Sequence, residues 1–482
     1  MRIVEKKPCF GLIVGTRGFF NAQLAAGVRA KLPHILKGKG YDYVITPEDA
    51  TPCGAIETRE HAKLCADLFR QNADRIDGVI VVLPNFGDEL GIVQTLEMAK
   101  LDVPVLVQAC DDEVDKLSVS ERRDAFCGKF SVCNNLYQYG IPFTNTTYHS
   151  YPIDSPEFVA DLGFFARVCR VVNGLRHARI GAIGARPAAF QTVRFSEKLL
   201  QAAGITVVPV DLSVIIAGAS ALKDDDPAVQ AKLAEIRAYG TIPPTIPKGN
   251  ILKQARLSVT IDRWMDENEC DASAIECWDS IQKNYGCATC LSMAMMGDRL
   301  LPSACEVDVV GAVSMYALLL ASGNPPAFQD WNNNYGDDRD KCINTHCSNY
   351  PRSFIGRQVE VSNLDVLGAS LGADRCFGAV KGQAAPGPIT FFRISTDDPR
   401  GIIKAYLGEG EMTDDPVGIQ GGSAVLRVPG LQDLLDYLCK NGFEHHVAVT
   451  RDNCADVLDE TINTYLGWDL HHHMATFIHR PR

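Results

Sequence analysis

The sequence lacks any long apolar run. None of its 482 residues lies in a stretch approaching the roughly 20 apolar residues that a membrane helix needs. The opening segment Met1–Lys7 also lacks the basic, apolar and small-residue pattern of a secretory signal, and Gly11 and Gly15 interrupt the first apolar run. We therefore expect a cytoplasmic protein without a membrane partner.

Basic residues are in the minority. The chain has 47 Lys and Arg against 59 Asp and Glu, which gives a net charge of -12. Nucleic-acid binding needs a basic surface that releases counterions, so we expect no nucleic-acid partner. The sequence contains neither GxGxxG nor a Walker A motif, which leaves nucleotide binding with little support.

Paired cysteine motifs are also scarce. The chain has 17 cysteines, an odd number, and its one CxxC motif, Cys287 to Cys290, has no second pair at zinc-finger spacing. Without an export signal, we interpret the cysteines as reduced and mostly structural thiols.

The length predicts two or three domains, and the pattern of elements predicts an α/β fold. In residues 1–173, short apolar strands such as Val79 to Leu83 alternate with amphipathic helices, which is typical of a parallel, Rossmann-like sheet covered on both faces. The alternation restarts at Arg179 to Ile183, and this predicts a second such domain over 174–350. Residues 351–482 are rich in strands separated by glycine and proline, which indicates a mostly antiparallel, barrel-like domain.

Two arginines follow strands at positions where open α/β sheets bind ligands. Arg17 lies in Gly15–Gly18 after the first strand, and Arg186 lies in Gly184–Pro187 after the first strand of the second domain. Either arginine could contact a substrate, or both segments could be tight turns that need glycine.

Two carboxylates are candidate metal ligands. Glu306 lies in Leu300–Val310, where a desolvated carboxylate needs a cation or hydrogen-bond donors. The alternative is a helix N-terminal carboxylate, a role for which Asp308 competes. Asp330 follows 24 residues later, at the end of a predicted strand Pro326 to Gln329. One strand, helix and strand fill that spacing, so both carboxylates could end neighbouring strands of one sheet, or Asp330 could cap a polar turn.

Three places hold histidines that bear on a candidate site. His346 ends a predicted strand and could bind a metal, contact a substrate hydroxyl, or be a hydrogen-bonded core residue. His445 and His446 begin an alternating strand, so we expect their side chains on opposite faces and only one of them in a given site. The run His471–His473 lies near the end of the sequence, and we interpret it as solvated surface.

These segments together resemble the L-fucose isomerase and L-arabinose isomerase superfamily, particularly its shorter fucose-isomerase-like branch. The likeness covers nearly the whole chain and is carried by four segments: Ala304–Asp308, Phe328–Asp330, Thr345–Cys347 and His445–Ala448. It implies a metal-dependent isomerase of aldose and ketose sugars, and a homo-oligomer, possibly a hexamer.

The resemblance also implies roles for individual residues. Glu306, Asp330 and His446 would bind Mn²⁺, or another divalent ion such as Co²⁺ or Mg²⁺. His446 is favoured over His445 because arabinose isomerases use the second histidine of such a pair. His346 matches a fourth ligand of arabinose isomerases, whereas fucose isomerases complete the shell with substrate and water.

The expected reaction moves a proton between neighbouring carbons of the sugar through an enediolate. A divalent ion can hold the two substrate oxygens, and a nearby carboxylate can carry the proton. Glu306 and Asp330 are therefore expected to act both as ligands and as the acid/base pair. The alternatives are a sugar-binding protein without catalysis, and an epimerase or lyase on the same scaffold.

The sequence departs from the family at two places. Ser348 follows His346 and Cys347 where glycine is expected in much of the branch, and Ala185–Phe190 matches no fucose-isomerase signature. The sugar could therefore be neither fucose nor arabinose. A substrate with an anionic group, such as a sulfonated hexose, would use Arg17 or Arg186.

Overall fold

The computed structural model describes residues 3–419 and 421–474. These residues form two compact units. The first comprises 3–173 and 460–467, and the second comprises 174–459 and 468–474. No helix of the described residues is long and apolar enough to cross a membrane.

The first unit contains a five-stranded parallel sheet with the strand order β2-β1-β3-β4-β5. Its central strands are buried along their whole length, as continuous apolar runs require when helices cover both faces. The elements are β1 (Cys9–Val14), α1 (Ala22–Gly38), β2 (Asp42–Ile45), α2 (Arg59–Gln71), β3 (Gly78–Leu83), α3 (Glu89–Ala99), β4 (Val105–Ala109), α4 (Ala125–Gln138), β5 (Thr144–Asn145) and α5 (Pro156–Arg176).

The second unit begins with a four-stranded parallel sheet in the order β7-β6-β8-β9. The prediction of two parallel-sheet α/β regions is confirmed. The elements are β6 (Arg179–Ile183), α6 (Glu197–Ala202), β7 (Thr206–Val210), α7 (Leu212–Ala221), α8 (Pro227–Tyr239), α9 (Lys248–Glu267), β8 (Ala272–Ile275), α10 (Ser280–Asn284), α11 (Cys290–Asp298), β9 (Ser303–Cys305) and α12 (Val309–Ser322).

A nine-stranded, mostly antiparallel sheet completes the second unit, as predicted. Its order is β12-β13-β16-β11-β10-β17-β14-β15-β18, and an additional pairing of β15 with β16 closes six of the strands into a barrel. The elements are β10 (Ala327–Tyr335), β11 (Asp338–His346), α13 (Arg352–Ile355), β12 (Glu360–Asn363), α14 (Asp365–Leu371), β13 (Phe377–Gln383), β14 (Gly387–Asp397), β15 (Ile402–Met412), β16 (Gly422–Arg427), α15 (Leu431–Lys440), β17 (His446–Thr450), α16 (Ala455–Glu460) and β18 (Asp469–His473).

The location of Asp330 differs from the prediction. Asp330 lies inside β10, which pairs antiparallel with β11 and β17, so it belongs to the barrel and not to the parallel sheet. The expectation that Glu306 and Asp330 end neighbouring strands of one sheet is therefore wrong. The polar run Asn332–Asn334 misled the prediction, because it continues β10 toward a hairpin turn at Gly336 and does not end the strand.

Helix α4 has only a weak pattern in the sequence, for a similar reason. Its buried residues include Ala125, Gly128, Val132 and Leu136, which recur at helical spacing, but the polar residues between them mask the pattern. Gly128 is buried where α4 meets the loop after β3. A Cβ atom on Gly128 would lie 1.4 Å from the Phe86 backbone oxygen.

We predict that Gly128→Ala destabilises the protein by about 2 kcal/mol or more, because the backbone contact with Phe86 leaves no room for a methyl group. Gly163→Ala is the matched control in α5, since no atom lies within 4 Å of the point that a Cβ atom would occupy there. At that position the better helix propensity of alanine should stabilise by up to about 1 kcal/mol. Denaturant unfolding of both variants measures the difference, and equal effects would contradict the predicted packing.

Candidate active site

A turn after β9 places Glu306 at the carboxyl end of the four-stranded sheet. Glu306 and Val307 adopt φ angles of +56° and +55°, in the left-handed region that non-glycine residues seldom adopt. Asp308 then caps α12 by accepting a hydrogen bond from Gly311 N at 2.8 Å. The alternative of Glu306 as the helix N-terminal carboxylate is therefore wrong, because Asp308 occupies that position.

The two oxygens of the Glu306 side chain have different surroundings. Oε1 accepts hydrogen bonds from Trp278 Nε1 at 3.1 Å and from Cys277 Sγ at 3.3 Å. Oε2 is buried and has no hydrogen-bond partner among the described residues. Burial raises the pKa of Glu306 to about 8, although the hydrogen bonds from Cys277 and Trp278 oppose that shift.

Asp330 approaches the same place from the barrel. It is paired with His446 across β10 and β17, which sets the two side chains side by side. Its Oδ1 atom is also buried without a hydrogen-bond partner among the described residues. Burial raises the pKa of Asp330 to about 6, and the neighbouring His446 opposes this shift.

The Nε2 atoms of two buried histidines face these unpartnered oxygens. His446 Nε2 lies 3.7 Å from Glu306 Oε2 and 3.5 Å from Asp330 Oδ1. His346 Nε2 lies 3.6 Å from Glu306 Oε2 and 3.9 Å from Asp330 Oδ1. Burial, followed by the neighbouring histidines, holds the pKa of His346 well below its usual value, so its imidazole is neutral. Two oxygens and two nitrogens thus converge on one small volume.

His445 also approaches Asp330. Its Nε2 atom lies 3.7 Å from Asp330 Oδ1, and its side chain is 40% exposed. The expectation that His445 and His446 point to opposite faces is wrong, because β17 begins at His446 and the alternation of a strand does not apply to His445. Burial lowers the pKa of His445 to about 4.

A buried ion-pair network holds His446 through Nδ1, the ring nitrogen that does not face the carboxylates. Its Nδ1 atom lies 2.7 Å from Asp308 Oδ2, and Asp308 in turn accepts two hydrogen bonds from Arg393, at 2.6 and 3.1 Å. Burial opposes ionisation of Asp308, but Arg393 and His446 outweigh it and hold the pKa of Asp308 below its usual range. An ionised Asp308 can only accept a hydrogen bond, so His446 donates its Nδ1–H to Asp308. The lone pair of His446 Nε2 then points toward Glu306 and Asp330.

Arg393 has a second carboxylate partner. Its Nε atom donates to Glu444 Oε2 at 3.3 Å, and Ser395 donates to Glu444 Oε1 at 2.8 Å. Arg393 is fully buried, and two carboxylates therefore surround a single guanidinium group.

The two arginines predicted to contact the substrate differ in their surroundings. In the first unit, Arg17 is paired with Glu89, lies 3.8 Å from Asp88, and stacks over Phe86 at 4.4 Å. In the second unit, Arg186 Nη1 donates to the backbone oxygen of Pro187 at 2.9 Å. The same nitrogen also donates to the backbone oxygen of Ala188 at 3.4 Å, and Arg186 forms no ion pair with a carboxylate among the described residues.

The loop that contains Arg186 reaches the histidines. The Phe190 ring lies 5.4 Å from the ring of His445, 5.7 Å from that of His446 and 5.8 Å from that of Trp278. Phe190 thus forms an apolar wall beside the two histidines.

Several residues of this site were not predicted from the sequence. Trp278, Cys277, Arg393 and Glu444 were not singled out, and Asp308 was considered only as a helix cap. The assignment of Glu306, Asp330, His346, His446, Arg17 and Arg186 to particular roles stays a prediction.

Comparison with known families adds independent findings. A family model described as fucose/sulfoquinovose isomerase, N-terminal domain, matches residues 11–176, and one described as L-fucose isomerase, C-terminal domain, matches residues 344–473. Sulfoquinovose isomerases of Priestia megaterium (strain ATCC 12872 / QMB1551) and Priestia aryabhattai are each 24% identical over 450 residues, which cover 92% of this chain and 94% of theirs. The sulfoquinovose isomerase of Clostridium sp. (strain MSTE9) is 26% identical over 351 residues, covering 70% of this chain and 74% of that protein.

These matches confirm the resemblance inferred from the sequence. The chain belongs to the fucose-isomerase-like family. It is an enzyme of the aldose–ketose isomerase class, and its substrate is therefore a small sugar.

We predict that Arg393→Met destabilises the protein by about 3–5 kcal/mol, because Asp308 and Glu444 would stay buried without their cation. The control is Arg427→Met on β16, since Arg427 pairs with Glu411 at 2.9 Å and both side chains are about half exposed (47% and 50%). Loss of that surface pair should cost less than about 1 kcal/mol. Urea unfolding distinguishes the two, and an Arg393→Met variant as stable as Arg427→Met would contradict the network.

Proposed function

We propose that this isomerase depends on a divalent metal ion held by Glu306, Asp330 and His446, and that it works through an enediolate. The supporting observation is the pair of buried, unpartnered oxygens, Glu306 Oε2 and Asp330 Oδ1. A buried carboxylate oxygen without a donor costs free energy unless a cation satisfies it. A single ion among these atoms would satisfy both.

The donor set fits the proposed ion. Carboxylate oxygens and neutral imidazole nitrogens suit a hard to intermediate divalent ion of the Mn²⁺ type. His446 is favoured over His445 because it is buried and because Asp308 orients its Nε2 toward both oxygens. His346 presents its Nε2 to the same two oxygens, which supports a role as fourth ligand rather than as a substrate contact.

When bound, the ion supplies a positive charge that holds two neighbouring sugar oxygens and stabilises the negative charge that develops on them. The residues of this chain supply the proton transfer. One carboxylate accepts the proton from the carbon next to the carbonyl group and returns it to the former carbonyl carbon, while the hydroxyl proton passes from one of the two sugar oxygens to the other. A carboxylate held beside the substrate carbons can accept that proton and return it without leaving the site.

The side chains of Glu306 and Asp330 differ in their hydrogen bonds and in their exposure to solvent. Glu306 is fixed through Oε1 by Trp278 and Cys277, and its side chain is 7% exposed. The Asp330 side chain is 24% exposed, so one side of it faces the open part of the site. This asymmetry makes Glu306 the more firmly held member of the acid/base pair and Asp330 the more exposed one.

We further propose a sulfonated hexose as the substrate. Three relatives named sulfoquinovose isomerase support this class of sugar, and a sulfonate group needs a cationic partner. Arg186 supplies an unpaired guanidinium on the loop whose Phe190 packs against His446. Arg17 is a weaker candidate because Glu89 and Asp88 already balance its charge.

We predict that Glu306→Gln lowers kcat by about 10²–10⁴-fold, the range that general acid–base catalysis contributes, and also weakens metal binding. Proton NMR in D₂O measures turnover, since isomerisation through an enediolate places deuterium beside the carbonyl group of a new ketose. Glu267→Gln, an exposed position on α9, is the control and should retain full activity. A fully active Glu306→Gln variant would rule out the assigned role, and products of epimerisation or cleavage would rule out isomerisation.

For the histidine pair, we expect His446→Ala to lose the bound Mn²⁺ and His445→Ala to keep it. The reason is that only His446 is both buried and oriented by Asp308. Equilibrium dialysis followed by elemental analysis measures the bound metal. Loss of metal in His445→Ala together with retention in His446→Ala would reverse the assignment.

The substrate proposal predicts that Arg186→Met lowers kcat/KM for a sulfonated hexose by roughly 10- to 100-fold, the value of a charge-assisted hydrogen bond of about 1.5–3 kcal/mol. Activity toward the corresponding hexose without the sulfonate should change little. Arg237→Met, at an exposed position of α8, serves as the control. Equal losses on both sugars would show that Arg186 does not recognise the anionic group.

A further inference from the structure

Four cysteines converge immediately behind Glu306. They come from four separate segments: Cys277 follows β8, Cys290 begins α11, Cys305 ends β9 and Cys347 follows β11. Cys305 Sγ and Cys347 Sγ lie 3.0 Å apart, well beyond the roughly 2.05 Å of a disulfide, and all four are free thiols.

The cluster is compact. The Sγ atoms of Cys277, Cys305 and Cys347 and one carboxylate oxygen of Glu306 lie within 4.8 Å of one another. The Cys290 thiol interacts with the thiols of Cys305 and Cys347. A single buried cysteine is an ordinary core residue, but four thiols from distant segments around one point form a set of soft ligands.

The CxxC motif does not explain this arrangement. Of its two cysteines, only Cys290 belongs to the cluster, whereas the Cys287 thiol faces the backbone oxygen of Asn250 at 4.0 Å. The cluster could not be predicted from the sequence, because its successive members are 13, 15 and 42 residues apart and none of them forms a chelating pair with a near neighbour in the chain.

We propose that Cys277, Cys290, Cys305 and Cys347 bind one soft divalent ion of the Zn²⁺ class, at a site distinct from the proposed catalytic ion. Structural zinc sites use four such ligands, and thiolates select Zn²⁺ over Mn²⁺. Each thiol that binds loses its proton to solvent as its sulfur–metal bond forms, so no oxidant or reductant takes part. The ion would enter beside Cys347, the one member of the four that is only half-buried.

The two sites meet at Glu306. Its Oε1 atom faces the thiols and accepts a hydrogen bond from Cys277, while Oε2 faces the histidines. The soft thiol ligands thus lie on the Oε1 side of Glu306. The imidazole ligands and the oxygen of Asp330 lie on the Oε2 side. Cys277 belongs to the thiol site and also contacts Oε1, so the two proposed sites share this contact.

X-ray absorption at the zinc edge tests the proposal. Protein purified under reducing conditions is first saturated with Mn²⁺ and then given one equivalent of Zn²⁺. We expect three or four sulfur neighbours at about 2.3 Å. Cys305→Ser and Cys347→Ser should both lose this sulfur shell, whereas Cys127→Ser and Cys439→Ser, which remove exposed thiols, should keep it.

Two results would overturn the proposal. The first is a zinc shell of oxygen and nitrogen only, which would place Zn²⁺ at the site of the Mn²⁺ ion. The second is a sulfur shell that persists in both Cys305→Ser and Cys347→Ser, which would place Zn²⁺ on other thiols. Circular dichroism identifies any variant that does not fold. If Cys305→Ser does not fold, Cys347→Ser, which changes a half-buried residue, still tests the proposal. Deuterium incorporation by the Mn²⁺-loaded protein before Zn²⁺ is added tests the isomerase mechanism separately.

Discussion

The buried pair of Arg393 and Asp308 is the interaction on which the candidate active site depends. Asp308 caps α12 directly after the turn that positions Glu306, and it also accepts hydrogen bonds from Arg393 on a barrel strand and contacts His446 on another. One carboxylate therefore joins the end of the parallel sheet to the barrel and fixes the orientation of an imidazole. Because these groups are fully desolvated, each is tolerated only while the others are in place.

The network explains how two sheets can build one site. Glu306 comes from the parallel sheet, whereas Asp330, His346 and His446 come from neighbouring barrel strands. The short distances among their polar atoms leave two carboxylate oxygens without donors. Such an arrangement is unfavourable in isolation, and a bound cation is the simplest group that would make it favourable.

Much of the fold follows from the sequence alone. Continuous apolar strands such as Val79–Leu83, separated by amphipathic helices, are strong local signals, and glycine-separated strands identified the barrel. The sheet to which Asp330 belongs could not be predicted, because polar residues in a hairpin strand resemble those of a turn. The buried position of Arg393 could not be predicted either. Its partner Asp308 is 85 residues away, and the local sequence does not distinguish a buried arginine from an exposed one. Neither Glu306 nor Asp330 alone indicated a metal site. Their occurrence together with His445 and His446 did, because the whole set resembles the family.

The most direct test of the account is anomalous diffraction at the manganese edge from crystals of the Mn²⁺-loaded protein. We predict one strong anomalous peak within bonding distance of Glu306 Oε2, Asp330 Oδ1 and His446 Nε2. A peak at any other group of residues, or no peak at this site in crystals of a protein that is active with Mn²⁺, would contradict the proposed metal centre.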